Sequence, residues 1–297
     1  MPVGDSESAR AERVDPYCLE EGEADRLLAG HPWKRFALFE DSVAEGLGDP
    51  VPGYLDQSWA DRLATALKRH APGMTRPVLL AHGWQSRGTC FEHFVPGLLK
   101  AGYSPVAYDA PGHGDAAGAT TTVLAFREVI QHLADEHGAF EAVISHSVGA
   151  LASVLALRSG VRTRRLVTIR QVGEFTHLFD EFCGRLALRR RVRGELRTRV
   201  EQRLFPREQD LWRDFSTTYA SGRITVPVLV VHDGQDRVVG VDQARRTAEV
   251  FGDQAHLVTT RGLGHRRILS GPAVVESILD FVTAAQDGPA EVPAASR

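Results

Sequence analysis

Six short apolar runs, separated by stretches with helical periodicity, constrain the fold of this chain more than any other feature. The runs are PVLLA (77–81), SPVAY (104–108), EAVIS (141–145), RLVTI (165–169), PVLVV (227–231) and HLVTT (256–260). They do not alternate strictly between apolar and polar residues, which favours parallel strands covered by helices on both faces. Strands that alternate with helices in this way predict an α/β fold with a doubly wound, mostly parallel sheet.

One segment interrupts this alternation. Residues 171–222 hold no strand-like run, and apolar residues at four-residue steps from Leu188 to Leu204 lie among many arginines. The pattern predicts a basic amphipathic helix within a helical cap insertion. We expect the insertion to lie over the edge of the sheet where ligands bind in open α/β folds.

The predicted α/β core occupies residues 31–170 and 223–285. Within it, Trp33–Phe39 and Ala64–Leu67 are candidates for two leading strands. The ends of the chain are polar and poor in large apolar groups, so we expect a flexible arm over 1–30 and a flexible tail over 286–297.

Composition narrows the possible partners and the compartment. A formal net charge of −3 and a pI near 6.5 give no general reason to expect a nucleic acid or a membrane as partner. The three cysteines are Cys18, Cys90 and Cys183, and such scattered cysteines fit a reducing compartment. The N-terminus has no apolar segment typical of a signal peptide, so a cytoplasmic location is expected. The oligomeric state stays open.

A candidate nucleophile follows the third apolar run. EAVIS leads directly into His146-Ser147-Val148-Gly149 and then into an apolar helical stretch. A serine on such a strand–turn–helix junction has its hydroxyl exposed above the sheet. Small residues must flank the turn, and Gly149 meets that need. On the strand side, Ser145 stands where the G-x-S-x-G pattern expects glycine.

A nucleophilic serine needs a histidine base, and the base needs an orienting carboxylate. Asp236 follows the fifth apolar run and His265 follows the sixth, which gives the chain order serine, acid, histidine. Both lie at carboxyl ends of strands, where Ser147 also emerges. Two other carboxylates remain open as the acid: Asp233, three residues earlier, and Glu174, after an earlier strand.

An oxyanion site is expected beside the nucleophile. The first apolar run ends in His82-Gly83-Trp84-Gln85, where a glycine lets the backbone turn beneath a substrate. We expect the backbone amides of Trp84 and Val148 to be the two donors to a developing oxyanion.

The segments LLAHGW (79–84), YDAPGHGDA (108–116), SHSVGA (145–150), HDGQDRVV (232–239) and GLGHRRIL (262–269) together resemble the successive motifs of the α/β-hydrolase fold family. The resemblance covers roughly residues 77–285 and is least specific over 171–222. It implies Ser147 as nucleophile, Asp236 as acid, His265 as base, and Trp84 and Val148 as oxyanion donors. It implies neither a cofactor nor a metal.

Several other motifs have structural interpretations. His82 and His113 are expected to be structural, and His146 to be a spacer in the nucleophile turn. The stretch 112–117 formally fits a dinucleotide-binding glycine motif, but Pro111 spoils the entry from strand to helix. No cluster of metal-ligand type is present. The arginines of 185–207 suit a solvated helix face, or a cationic lid that attracts an anionic carrier thioester.

The sequence therefore predicts a serine hydrolase that acts on a small-molecule carboxylic ester or thioester through an acyl-enzyme intermediate. Two alternatives stay open. One is an acyltransferase or cyclising thioesterase with the same triad, and the other is a non-hydrolytic or ligand-binding homologue.

Overall fold

Six parallel strands form one sheet within residues 76–236 and 238–284, the part of the chain that the computed structural model describes. The strands are β1 (Pro77–Ala81), β2 (Ser104–Ala107), β3 (Ala142–His146), β4 (Leu166–Ile169), β5 (Val228–Asp233) and β6 (Ala255–Thr260). Their order across the sheet is β2-β1-β3-β4-β5-β6. The predicted parallel α/β sheet is confirmed. The predicted arm, tail and two leading strands lie outside the described residues.

Two strands run further than their apolar runs. β3 continues to His146, and β5 continues through His232 and Asp233. The reason is the parallel pairing between β5 and β6, which continues to the pair Asp233 and Thr260. Polar residues at the carboxyl ends of these strands are therefore held in the sheet, although the apolar pattern has already ended.

Nine α-helices lie within the described ranges. They are α1 (Val95–Lys100), α2 (Val123–His137), α3 (Val148–Arg158), α4 (Phe175–Arg185), α5 (Arg190–Arg199), α6 (Leu211–Asp214), α7 (Val241–Phe251), α8 (Gly264–Arg267) and α9 (Pro272–Thr283). The expected helix from Val123 is capped by the Thr122 hydroxyl, which accepts from the Ala125 N–H at 3.3 Å, and it ends before Gly138.

Helices cover both faces of the sheet, and each face has its own apolar core. Apolar residues of α2, α3 and α7 pack with Leu79 and Val230 on one face. Residues of α1 and α9, with Phe91 and Phe94, pack with Leu80 and Val231 on the other. Successive strand residues thus alternate between two cores, which explains why the strands read as continuous apolar runs.

The segment between β4 and β5 holds α4, α5 and α6. Its inward-facing aromatic rings pack edge-to-face, among them Phe175 against Phe215 and Phe179 against Trp212. By contrast, no residue of α5 is buried. Whether this segment covers the site as a cap stays a prediction.

One side chain of α3 holds the point where this segment returns to the core. The Arg158 guanidinium donates to the carbonyls of Ser216 at 3.0 Å and Tyr219 at 2.7 Å, and also to that of Asp214. None of the helices described here is long and apolar enough to cross a membrane.

Candidate active site

The order of the strands creates a crevice at one point of the sheet. From β1 the chain moves outward to β2, then crosses back over β1 to β3 and continues in the opposite direction. In open α/β sheets, ligands bind outside the carboxyl ends of the strands where the order reverses in this way. Here that point lies between the ends of β1 and β3, which carry Gly83 and Ser147.

Ser147 joins β3 to α3 in a strained backbone conformation, with φ 55° and ψ −121°. A residue other than glycine adopts such a conformation at a cost, and these conformations concentrate at functional sites. The turn is fixed on both sides, because the Ser147 N–H donates to the Ile169 carbonyl at 3.0 Å and its carbonyl accepts from Val172 at 3.2 Å. The Ser147 side chain has no hydrogen-bond partner among the described residues.

Two glycines let other parts of the chain approach this turn closely. A methyl group at Gly149 would lie 2.3 Å from the His82 carbonyl oxygen, so α3 can begin beside the end of β1 only with glycine there. A methyl group at Gly83 would lie 2.8 Å from the Ser147 Cβ. The turn after β1 therefore lies directly against the candidate nucleophile.

Ser145 does not disturb this arrangement. Its side chain is fully buried, and its hydroxyl donates to the Val167 carbonyl on β4 at 2.8 Å. A serine in place of the usual glycine thus has its polar group satisfied within the sheet.

Asp236 and His265 meet at the ends of β5 and β6. The His265 Nδ1 lies 3.3 Å from the Asp236 Oδ2, and the other carboxylate oxygen of Asp236 accepts from the Val238 N–H at 2.6 Å. The Asp236 side chain is fully buried, whereas that of His265 is 22% exposed. Burial, with the positive charges of Arg170 and Arg266, lowers the pKa of His265 to about 4. Its imidazole is therefore neutral at pH 7, as a general base requires.

The two other carboxylates have different partners. Asp233 accepts from the N–H groups of Gln235 and Leu263 and from the Thr260 hydroxyl, each at 2.9 Å, and so joins the loops after β5 and β6. Burial alone would raise the pKa of Asp233, but these hydrogen bonds and Arg170 lower it. Glu174 pairs with Arg246 of α7 at 3.0 Å.

His146 links the serine turn to the histidine loop. Its Nε2 lies 3.1 Å from the His265 carbonyl, which can only accept, so Nε2 carries the proton. Burial, with the nearby His265, lowers the pKa of His146 to about 3. Ser147 and His265 are neighbours through this contact, although no hydrogen bond joins their side chains in the described structure.

His82 braces the turn that carries the expected oxyanion donor. Its Nδ1 donates to the Gly83 carbonyl at 2.8 Å, and its Nε2 accepts from the Ala110 N–H at 2.9 Å. Burial lowers the pKa of His82 to about 4. Among the described residues, the amides of Trp84 and Val148 donate no backbone hydrogen bond in a turn or loop.

One charged residue of the site escaped the sequence analysis. Arg170 follows β4, has a positive φ of 48° and is fully buried. Its guanidinium contacts the Asp236 carboxylate. The signal was an arginine directly after an apolar strand, but sequence alone does not tell whether such a side chain turns inward. Among the described residues, no group of His, Cys, Asp and Glu is arranged to hold a metal ion.

A model of the Alpha/beta hydrolase family matches residues 78–278. None of the curated proteins compared with the sequence matches it. A monoacylglycerol lipase of Paleococcus ferrophilus has a similar fold, with a TM-score of 0.53 and 19% identity over 70% of this chain and 94% of that one. A bromoperoxidase of Bacillus anthracis gives a TM-score of 0.54 and 16% identity, over 71% of this chain and 92% of the bromoperoxidase. A thermophilic esterase of Thermogutta terrifontis gives a TM-score of 0.50 and 16% identity, over 71% of this chain and 90% of the esterase. At these identities the solved structures support the fold alone.

Proposed function

Because this chain belongs to the alpha/beta hydrolase family, we propose that it is a serine hydrolase that cleaves carboxylic esters or thioesters through an acyl-enzyme intermediate. The similar folds include an esterase and a lipase by name, which agrees with ester chemistry. We assign Ser147 as the nucleophile, His265 as the base and Asp236 as the acid. The amides of Trp84 and Val148 are assigned as oxyanion donors.

The observation that carries the proposal is the backbone of Ser147. A strained serine with φ 55°, at the start of α3 and without a side-chain partner in the described structure, is poorly explained as a helix cap. A capping serine has an extended backbone and bonds to the N–H groups of the first turn. Ser147 does neither, so its hydroxyl is available for chemistry beside the positive end of the helix.

The first half of the reaction transfers the acyl group to the enzyme. The Ser147 Oγ attacks the substrate carbonyl carbon while His265 Nε2 takes the hydroxyl proton, and Asp236 stabilises the resulting imidazolium through Nδ1. The negative charge that develops on the carbonyl oxygen is stabilised by the Trp84 and Val148 amides. The tetrahedral species then expels the alcohol or thiol, which takes the proton from His265.

The second half releases the acid. A water molecule attacks the acyl carbon, His265 takes one of its protons, and collapse of the second tetrahedral species returns that proton to Ser147. An alcohol or amine in place of water would give acyl transfer by the same steps. The ratio of hydrolysed to transferred product, measured with p-nitrophenyl esters in the presence of an added alcohol, distinguishes hydrolysis from transfer.

The test is covalent labelling of the full-length protein with a fluorophosphonate, followed by intact-mass and peptide mass spectrometry. We expect one adduct, on Ser147. The Ser147→Ala variant should give none. The Ser159→Ala variant, which changes a serine at the other end of α3, should label like the wild type.

Folded wild-type protein that forms no adduct on Ser147 would refute the proposal. Labelling without turnover of any p-nitrophenyl ester or acyl thioester would support the triad but refute the ester and thioester assignment. Circular dichroism of each variant confirms that a loss of labelling does not reflect unfolding.

A further inference from the structure

Arg170 lies beneath the proposed acid in an unusual setting. The parallel ladder continues through it, because its N–H donates to the Val231 carbonyl at 2.8 Å, and the chain then turns with φ 48°. A long charged side chain is rarely fully buried, and a positive φ adds backbone strain. The turn directs the guanidinium toward β5 and into contact with the Asp236 carboxylate.

The Asp236 carboxylate is held on both of its oxygens. Its Oδ2 faces the Arg170 guanidinium, the His265 Nδ1 at 3.3 Å and the His232 Nε2 at 3.7 Å. Its Oδ1 accepts from the Val238 N–H at 2.6 Å. The proton on His232 Nε2 is directed to the Val239 carbonyl at 2.9 Å. Among the residues that the structure describes, Arg170 is therefore the cation in direct contact with this carboxylate.

The charges around Arg170 come from three neighbouring elements. The groups that face it are His146 at the end of β3, His232, Asp233 and Asp236 on β5 and its loop, and His265 on α8. Two of these groups are carboxylates. The three histidines all have a lowered pKa, with burial as the largest cause and Arg170 as a further one. Arg266 is exposed, so solvent screens its charge more than that of Arg170.

We infer that Arg170 is a positioning residue, which holds the Asp236 carboxylate for His265 and keeps the His265 base unprotonated in mildly acidic solution. This inference rests on the proposed function and adds to it the working pH range of the site. In a triad without such an arginine, the full charge of the carboxylate stabilises the imidazolium and favours protonation of the base. Here Arg170 neutralises part of that charge.

The charge of Arg170 sets the direction in which the pH dependence should change. Loss of the Arg170 charge removes one cause of the lowered pKa of His265 and leaves the Asp236 charge unbalanced, so the pKa of His265 rises. The unprotonated base is then lost at a higher pH. Lysine retains the charge without the guanidinium shape, whereas glutamine retains hydrogen-bonding groups without the charge.

The experiment measures the rate of fluorophosphonate labelling of Ser147 from pH 4 to pH 9 in the full-length protein. Wild type and Arg170→Lys should keep labelling well below pH 6. In Arg170→Gln the acid limb should move up by about one pH unit, so the ratio of the rates at pH 4 and pH 8 falls about fivefold. Arg190→Gln, which removes an exposed arginine of α5, should keep the wild-type profile.

A purely structural role for Arg170 predicts slower labelling with an unchanged pH profile in Arg170→Gln, and that result would overturn the inference. If Arg170→Gln does not fold, the wild-type profile decides, since an acid limb at pH 6.5 or above contradicts the inference. An NMR titration of the His265 ring, assigned with the His265→Gln variant, measures the same protonation without any reaction. A low titration midpoint of His265 without labelling of Ser147 would contradict the proposed function but not this inference. Labelling of Ser147 with a high midpoint would contradict this inference but not the proposed function.

Discussion

The buried histidines of this protein should make its folded state sensitive to acid. Burial lowers the pKa of His82 to about 4 and that of His146 to about 3, from 6.5 in an unfolded chain. Below pH 6.5 these histidines are protonated in the unfolded chain but stay neutral in the folded protein. Stability is therefore fully present above pH 6.5 and is lost as the pH falls toward 4.

The size of the effect follows from these values. Between pH 7 and pH 5, each of the two histidines should lower the free energy of unfolding by about 2 kcal/mol, which gives about 4 kcal/mol together. His232 and His265 act in the same direction, since their pKa values are also lowered by burial. A loss of this size is a large part of the stability of an ordinary domain.

The assay is reversible urea unfolding of the full-length protein at pH 7 and at pH 5. In His146→Gln, whose amide can still donate to the His265 carbonyl, the difference between the two pH values should shrink by about 2 kcal/mol. The matched control is His132→Gln on α2, an exposed position where the difference should not change. A wild-type difference below about 1 kcal/mol, or a full difference retained in His146→Gln, would refute this reasoning.

Three further predictions concern the nucleophile turn and the acid. Ser147→Gly should be more stable to urea than Ser147→Ala by about 1–3 kcal/mol, because glycine adopts the observed backbone without strain; equal stability would contradict the strain. Gly149→Ala should lower the free energy of unfolding by at least about 1–3 kcal/mol, because its methyl group would overlap the backbone after β1. Its control is Gly194→Ala on α5, where a methyl group meets nothing within 4 Å and should stabilise the protein by up to about 1 kcal/mol in the same assay. Asp236→Asn should lower kcat for a p-nitrophenyl ester by about 10³-fold or more, whereas Glu174→Gln should leave it within about twofold; the reverse result would reassign the acid.

The sheet could be predicted from the sequence because each strand contains a short, mostly apolar run. The convergence of Ser147, Asp236 and His265 at one edge could be predicted for the same reason, since parallel strands place their carboxyl ends together. The sequence does not show which of Asp233 and Asp236 is the partner of His265. Asp233 ends β5 and Asp236 lies three residues later in the following loop, and only the backbone of that loop determines which of them faces His265.

The partners of the buried polar groups could not be predicted from the sequence for a related reason. Arg170 turns inward because its backbone has a positive φ, which no residue pattern around it indicates. The contact between His146 and the His265 carbonyl joins residues 119 positions apart. Such contacts depend on side-chain direction at the ends of strands, beyond the apolar runs on which the sequence interpretation rests.

The single helix α3 has a consequence for which residues of this protein can change together. It begins beside Ser147, and its last residue, Arg158, holds the carbonyls of Asp214, Ser216 and Tyr219. Replacement of Arg158 would remove the hydrogen bonds that hold the end of the 171–222 segment against the core. It would also disturb the helix that begins beside Ser147. Laboratory evolution that changes the 171–222 segment should therefore retain Arg158.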